Sequence, residues 1–314
     1  MRLRILLYPL LLAVLCPWIL RAQMYLPAFA EGDQIVRHAY FTLKYDEKYE
    51  QADWVAYLLT AEMLAPVCKR SDDFRPDPLV KTGSATPSDY RKSGYDKGHL
   101  APAADMAFSC EAMSETFYMS NMSPQLPAFN RGIWKDLEEL VRKWAKENDE
   151  IQVVTGPVLK DGGFAVIGAG GVAVPRYFYK VVLDDKEPEI KAIAFILPNQ
   201  KSDKEIQSYA LTVNMAEEAT GIDFFPELDD GVEEEIESSL DLGKWGFTAV
   251  QVTDARVNSG KPHRVNALGE EACRYWLNTS SVVRHNRSCP LFGNTKHGRC
   301  CGANEGKPCS RCGG

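Results

Sequence analysis

His99 is the only histidine between His38 and His263, and it sits in Gly94-Tyr-Asp-Lys-Gly-His-Leu-Ala-Pro-Ala-Ala-Asp-Met106, where Gly94 and Gly98 permit tight backbone geometry. A solitary histidine beside glycine is most often structural. Its company points elsewhere. Thirty-one residues on comes Asn130, followed by Glu138 eight and Arg142 twelve residues beyond it. Hydrolysis of a phosphodiester needs a base that deprotonates water, a cation that meets developing charge, and a group that orders water around that cation. Imidazole suits the first task. A neutral amide oxygen suits the second, because Mg²⁺ takes few protein ligands and keeps several waters. His99, Asn130 and Glu138 match the three roles in turn.

These groups need elements to hold them. From Asn130 to Asn148 the apolar residues Ile133, Trp134, Leu137, Leu140, Val141, Trp144 and Ala145 fall at helical spacing, which predicts one amphipathic helix opened by Asn130, with Glu138 and Arg142 along the edge of its buried arc. Before the histidine, residues 38–45 alternate as a strand does, and 54–64 read as a strand running into a short helix. Residues 152–157, 176–183 and 190–197 are β-rich runs ended by Gly, Pro or Asp. The glycines at 162–163, 168 and 170–171 lack the spacing and the Lys-Ser/Thr of a phosphate-binding loop, so a hairpin or loop is expected there. The acidic run Glu227 to Asp241 reads as a solvated linker or exposed helix.

With 314 residues, 45% hydrophobic and 25% charged, the chain is globular, which excludes a disordered, collagenous or multi-pass membrane protein. Its formal charge of −7 argues, as an average, against a polyanionic partner. Residues 1–22 carry Arg2 and Arg4, then an apolar run from Ile5 to Leu20, and read as a cleaved signal peptide in preference to an uncleaved anchor. The expected mature protein is secreted or periplasmic, with no membrane attachment. Residues 34–253 form the body, and residues 255–314 a separate unit with ten Lys or Arg against three acids, net +7. Six cysteines crowd into its last 42 residues, while Cys68 and Cys110 lie in the body.

Asp96-Lys-Gly-His99, Ser120-Asn-Met-Ser-Pro-Gln125, Asn130-x₃-Trp134-x₂-Leu137-Glu138, Val154-Thr-Gly-Pro157 and Val174-Pro-Arg-Tyr-Phe-Tyr-Lys180 together resemble the DNA/RNA non-specific endonucleases of the ββα-metal class, the group that includes the endonuclease G enzymes. The resemblance covers roughly residues 38–225 with the motifs in family order. It implies an α+β fold, a central antiparallel sheet flanked by helices and carrying a ββα-metal site. It also implies Mg²⁺-dependent cleavage of DNA and RNA through backbone contacts, with Mn²⁺ as a substitute cation. His99 would be the general base, Asn130 the Mg²⁺ ligand, Glu138 the group positioning metal-bound water, Arg142 a phosphate contact and Asn121 a second active-site asparagine. Lys97 stands where the family usually has arginine, which keeps the charge and loses the bidentate fork. A further family arginine corresponds to Arg70 or Arg75. Some relatives form homodimers, so a homodimer is an option for this chain.

The basic tail has two readings of its cysteines. His285-x₃-Cys289 with Cys309-x₂-Cys312 resembles a four-ligand Zn²⁺ site, whereas an exported chain favours disulfides, and disulfides are preferred. The alternative for the whole chain is a nucleic-acid-binding protein whose catalysis has decayed, with the tail as its binding element and Lys97 as the mark of decay.

Overall fold

The computed structural model describes residues 25–160, 162–186 and 188–247, with short stretches at 275–278, 283–286, 298–301 and 307–309. The expected leader, residues 1–22, lies outside them. The chain divides into two compact units, residues 1–249 and 250–314.

In the first unit the strands are β1 (Gln34–Arg37), β2 (Thr42–Asp46), β3 (Gln51–Thr60), β4 (Asp96–His99), β5 (Met122–Gln125), β6 (Glu150–Pro157), β7 (Val166–Ile167), β8 (Val172–Ala173), β9 (Tyr177–Asp184), β10 (Lys191–Pro198) and β11 (Ala210–Leu211). The helices are α1 (Cys110–Glu115), α2 (Pro127–Asn130), α3 (Ile133–Glu147), α4 (Val213–Thr220) and α5 (Asp230–Ser238). Seven strands form one sheet in the order β1-β2-β3-β6-β9-β10-β11, every neighbour antiparallel. The expected central antiparallel sheet is present, with helices on it.

Period-two alternation sends Val55, Tyr57 and Leu59 to one face and Trp54 and Ala56 to the other. Both faces are covered, which is why β3, β6, β9 and β10 are apolar almost throughout. Trp134, Leu137, Val141, Trp144 and Ala145 of α3 pack on the first face, against Val153, Phe178, Val182 and Phe195. Val213 and Ala216 of α4 and Ile236 of α5 cover the second. The Trp144 indole donates to the Trp245 carbonyl at 2.8 Å and anchors the far end of α3. Among the described residues no helix is long and apolar enough to cross a membrane.

One expected helix is two. Pro127 opens α2 at its first turn, α2 ends at Asn130, and Gly132 separates it from α3 with φ −110° and ψ −121°. A Cβ at residue 132 would stand 2.6 Å from the Ala128 carbonyl oxygen, so glycine permits this tight junction. Asn130 therefore closes the short helix instead of opening the long one. The glycine-rich stretch is the expected hairpin, β7–β8, and its turn is already satisfied: Gly170 N–H donates to Asp89 Oδ1 at 2.8 Å. The acidic run forms α5.

The second unit holds a small sheet in the order β14-β12-β13-β15, from β12 (Tyr275–Asn278), β13 (Val283–Asn286), β14 (Gly298–Cys301) and β15 (Lys307–Pro308). His285 and Cys309 are buried, and Cys309 N–H donates to the Arg284 carbonyl at 2.9 Å. Cys289 and Cys312 of the Zn²⁺ reading lie outside the described residues. Among the described residues no group of three or more His, Cys, Asp or Glu could hold a metal.

Candidate active site

β4 and β5 pair as an antiparallel ribbon, with His99 opposite Met122, Gly98 opposite Ser123 and Asp96 opposite Gln125. The pairing explains Gly98, because the buried Gln125 side chain lies across it and a Cβ there would come 2.2 Å from Gln125 Oε1. This close approach turns His99 into a wall of aromatic rings. Phe117 meets the imidazole edge-to-face at 4.8 Å between centroids, and Phe74 lies at 5.9 Å. His99 is 8% exposed, and its Nε2 is buried with no hydrogen-bond partner among the described residues. Burial, then the charges of Arg70 and Lys97, push its pKa from 6.5 to about 3. The imidazole is neutral at physiological pH, the form that accepts a proton.

Asn130 faces the other end of the ribbon. Its Nδ2 donates to Asp96 Oδ2 at 2.9 Å, and a carboxylate can only accept, so the amide oxygen is left for another partner. Arg131 grips the same carboxylate, Nε to Oδ2 at 2.8 Å and Nη2 to Oδ1 at 2.7 Å. Burial would raise the Asp96 pKa, but the bonds from Arg131 and Asn130 and the charge of Lys97 hold it below the usual value. Lys97 rests its ammonium 4.3 Å from the Phe74 ring centroid.

Along α3, Trp134, Glu138 and Arg142 recur every fourth residue and share one side of the helix. Opposite them β9 presents Lys180, fully buried, its Nζ 4.9 Å from the Trp134 ring centroid and without a hydrogen-bond partner among the described residues. Arg142 Nη1 donates to Asp105 Oδ1 at 2.9 Å, and the Tyr57 hydroxyl of β3 donates to Asp105 Oδ2 at 2.9 Å. Two acids and two bases thus share a low-dielectric pocket. Burial raises the Glu138 pKa and Asp105 adds to it, against the pull of Lys180, Arg142 and Arg70. Burial lowers that of Lys180.

The structure separates Arg70 from Arg75. Arg70 lies 4.8 Å from the Phe117 ring centroid, and its charge acts on both His99 and Glu138. Arg75 is bound to Asp73 at 2.7 Å and to the Ser114 carbonyl at 3.0 Å, over the Tyr118 ring. Arg70 also pairs with a neighbouring carboxylate, Asp72 at 2.7 Å, and of the two arginines it is the one whose charge reaches His99 and Glu138. The disulfide Cys68–Cys110 ties the segment before Arg70 to α1. Asn121, the expected second active-site asparagine, is held on the turn that follows His99. It is fully buried, its amide donates to the carbonyls of Ala101 at 3.0 Å and Thr116 at 2.9 Å, and its oxygen accepts Ala101 N–H at 2.9 Å. All its bonds go to backbone, so it braces the turn after His99.

Sequence reasoning missed Asp96 as the partner of Asn130, and Asp105, Tyr57 and Lys180 behind Glu138. Lys180 left a signal: a lysine between Tyr179 and Val181 in an otherwise apolar strand.

The donor set fits a hard divalent cation. Asn130 offers an oriented neutral oxygen, and Glu138 is a buried carboxyl whose ionised form a nearby cation would favour.

The family described as DNA/RNA non-specific endonuclease matches residues 22–231. The mitochondrial nuclease EXOG of Danio rerio is 37% identical over 202 residues, 59% of this chain and 59% of its own, so the chain spans about three-fifths of that relative. Nuclease C1 of Cunninghamella echinulata is 37% identical over 213 residues, 63% of this chain and 84% of its own. In the crystal structure of the EndoG/EndoGI complex, the matched chain is 34% identical with a TM-score of 0.58, covering 64% of this chain and 89% of that one. With the matched pattern running over most of the sheet and through the whole β4–α3 cleft, the chain belongs to the DNA/RNA non-specific endonuclease family.

Proposed function

We propose that this chain is an exported, Mg²⁺-dependent endonuclease that hydrolyses phosphodiester bonds of DNA and RNA without reading base sequence. The observation that carries the reading is the pairing of a buried neutral imidazole, His99, with an amide, Asn130, whose oxygen is aimed by Asp96.

His99 Nε2 takes a proton from water as the water oxygen attacks phosphorus. The bond from phosphorus to the 3′ oxygen breaks, that oxygen gains a proton from solvent, and the product carries a 5′ phosphate. The Asn130 oxygen would hold a divalent cation, Mg²⁺ or Mn²⁺ in its place, which would supply charge stabilisation when bound. Glu138 would order water in the cleft. Arg142, Arg70 and Lys97 meet the phosphate as fixed charges, and the ring of Phe74 steadies Lys97 in place of a bidentate fork. The β4–β5 ribbon and the helix carrying Glu138 are the elements that would supply a ββα-metal arrangement. Backbone recognition needs no base-reading module. Export is supported by the signal-like residues 1–22 and by the Cys68–Cys110 disulfide, which suits an oxidising compartment.

Plasmid and structured RNA incubated with the purified chain, with and without Mg²⁺, test the reading beside His99→Ala and Asn130→Ala. Metal-dependent cleavage lost in both variants supports it. Retention of nucleic acid on a gel with no nicking in Mg²⁺ or Mn²⁺ would replace it with a binding protein.

A further inference from the structure

A cleft of about 470 Å³ opens beside Arg142, along α3 from Glu139 to Lys146. Leu64 and Pro66 form one apolar wall and Ala104 and Ala107 another, while α3 supplies the charged side with Arg142 and Lys146. The cleft is joined to the candidate active site twice. Arg142 belongs to both. The segment carrying Leu64 and Pro66 continues through Val67 and Cys68, whose N–H groups both donate to the Ala107 carbonyl at 2.8 and 3.0 Å, and then delivers Arg70 to His99.

The charges on the wall are unequally satisfied. Glu139 is paired with Lys135 at 3.0 Å, Lys143 with Glu147 at 3.5 Å, and Arg142 with Asp105 at 2.9 Å. Lys146 makes no ion pair among the described residues, so it is the cation of this wall that an incoming anion meets uncompensated. Lys146 also continues the row of Trp134, Glu138 and Arg142, and stands one turn, about 6 Å, beyond Arg142. Two cations so spaced can hold neighbouring phosphates of one strand. No aromatic ring lines the cleft, so nothing there invites a stacked base.

We infer that this cleft is a subsite for the substrate strand next to the cleaved bond, with a backbone phosphate on Lys146 and its sugar against Leu64, Pro66, Ala104 and Ala107. The inference rests on the nuclease reading and extends it. A single strand tracks from His99 past Arg142 to Lys146, and the protein reads a run of phosphates.

The test is binding of a fluorescein-labelled twelve-residue oligothymidylate to the full chain, followed by anisotropy in EDTA at several salt concentrations. Lys146→Glu is expected to raise the dissociation constant about tenfold, and Lys146→Ala to make the log–log salt slope shallower by about 0.7. Ala104→Trp, which fills the cleft without changing charge, should also weaken binding. Lys48→Glu, on the turn between β2 and β3, makes the same net charge change outside the cleft and should not. Equal affinity and equal salt slope for the full chain, Lys146→Glu and Ala104→Trp would overturn the subsite, as would absence of binding by the unsubstituted chain or equal weakening by Lys48→Glu. Plasmid cleavage by the unsubstituted chain, measured in parallel, tests the nuclease reading separately: a chain that binds through Lys146 and cuts nothing keeps the subsite and loses the hydrolase.

Discussion

Asn130 gives its amide hydrogen to Asp96 across 2.9 Å, and that bond decides which atom of Asn130 faces the cleft. A lone amide can present either end. With Asp96 behind it, held by two bonds from Arg131, only the oxygen is presented.

Removing Asp96 should therefore act as a metal-binding defect. Asp96→Ala is expected to raise the Mg²⁺ concentration for half-maximal cleavage by about 10- to 100-fold, the usual cost of losing a partner behind a metal ligand. Saturating Mg²⁺ should restore much of kcat. A variant with the unaltered Mg²⁺ requirement would show that Asp96 does not aim the amide.

His99 should leave a mark on acid stability. The folded imidazole titrates near 3 and the unfolded one near 6.5, so between those values the unfolded chain holds the extra proton. Stability from this group is complete above pH 6.5 and is lost on acidification towards pH 3, by up to about 1.4 kcal/mol per pH unit. Urea denaturation of the chain and of His99→Gln should show a shallower pH slope for the variant across that window. Parallel slopes would contradict a buried neutral imidazole. The acid limb of kcat/KM reports the folded imidazole, so it should lie well below pH 6.5.

Lys180 should be a counter-charge more than a packing residue. Lys180→Met leaves Asp105 and Glu138 with Arg142 and the charge of Arg70, and loss of one partner from a buried charge cluster costs about 3 kcal/mol or more. Adding Glu138→Gln should recover at least about 1 kcal/mol, because the two changes are coupled. Strict additivity in denaturation would mean that Lys180 and Glu138 do not sense each other.

Gly98→Ala should distort the β4–β5 ribbon. The new methyl collides with the buried Gln125 side chain, at a cost of about 1–3 kcal/mol. Shortening the obstacle with Gly98→Ala/Gln125→Ala should return part of that loss. A melting temperature for Gly98→Ala equal to that of the unsubstituted chain would rule out the contact.

Local signals in the sequence were enough for some of this arrangement. The amphipathic arc of α3 and the β-rich runs of β6, β9 and β10 come from residue type and spacing over short distances. What stayed hidden depends on contacts across the fold. The pairing of Asp96 with Asn130 spans 34 residues and that of Arg142 with Asp105 spans 37, and neither has a periodicity to announce it. The way Asn121 is held stayed hidden for the same reason, since only the folded turn shows its amide wholly taken up by backbone. The break at Gly132 was masked by an apolar pattern on one side and Pro127 on the other, which together imitate one continuous helix.

That break gives the cleft two independent adjustments. Trp134, Glu138 and Arg142 turn together with α3, so a residue inserted after Trp134 would swing Glu138 and Arg142 about 100° away from Lys180 and Asp105. Asn130 sits before Gly132 and is steered by Asp96 instead, so it keeps its aim when α3 shifts or rotates slightly. The amide can be tuned from the ribbon and the carboxylate from the helix, and a chain built this way can drift at one of them without losing the other.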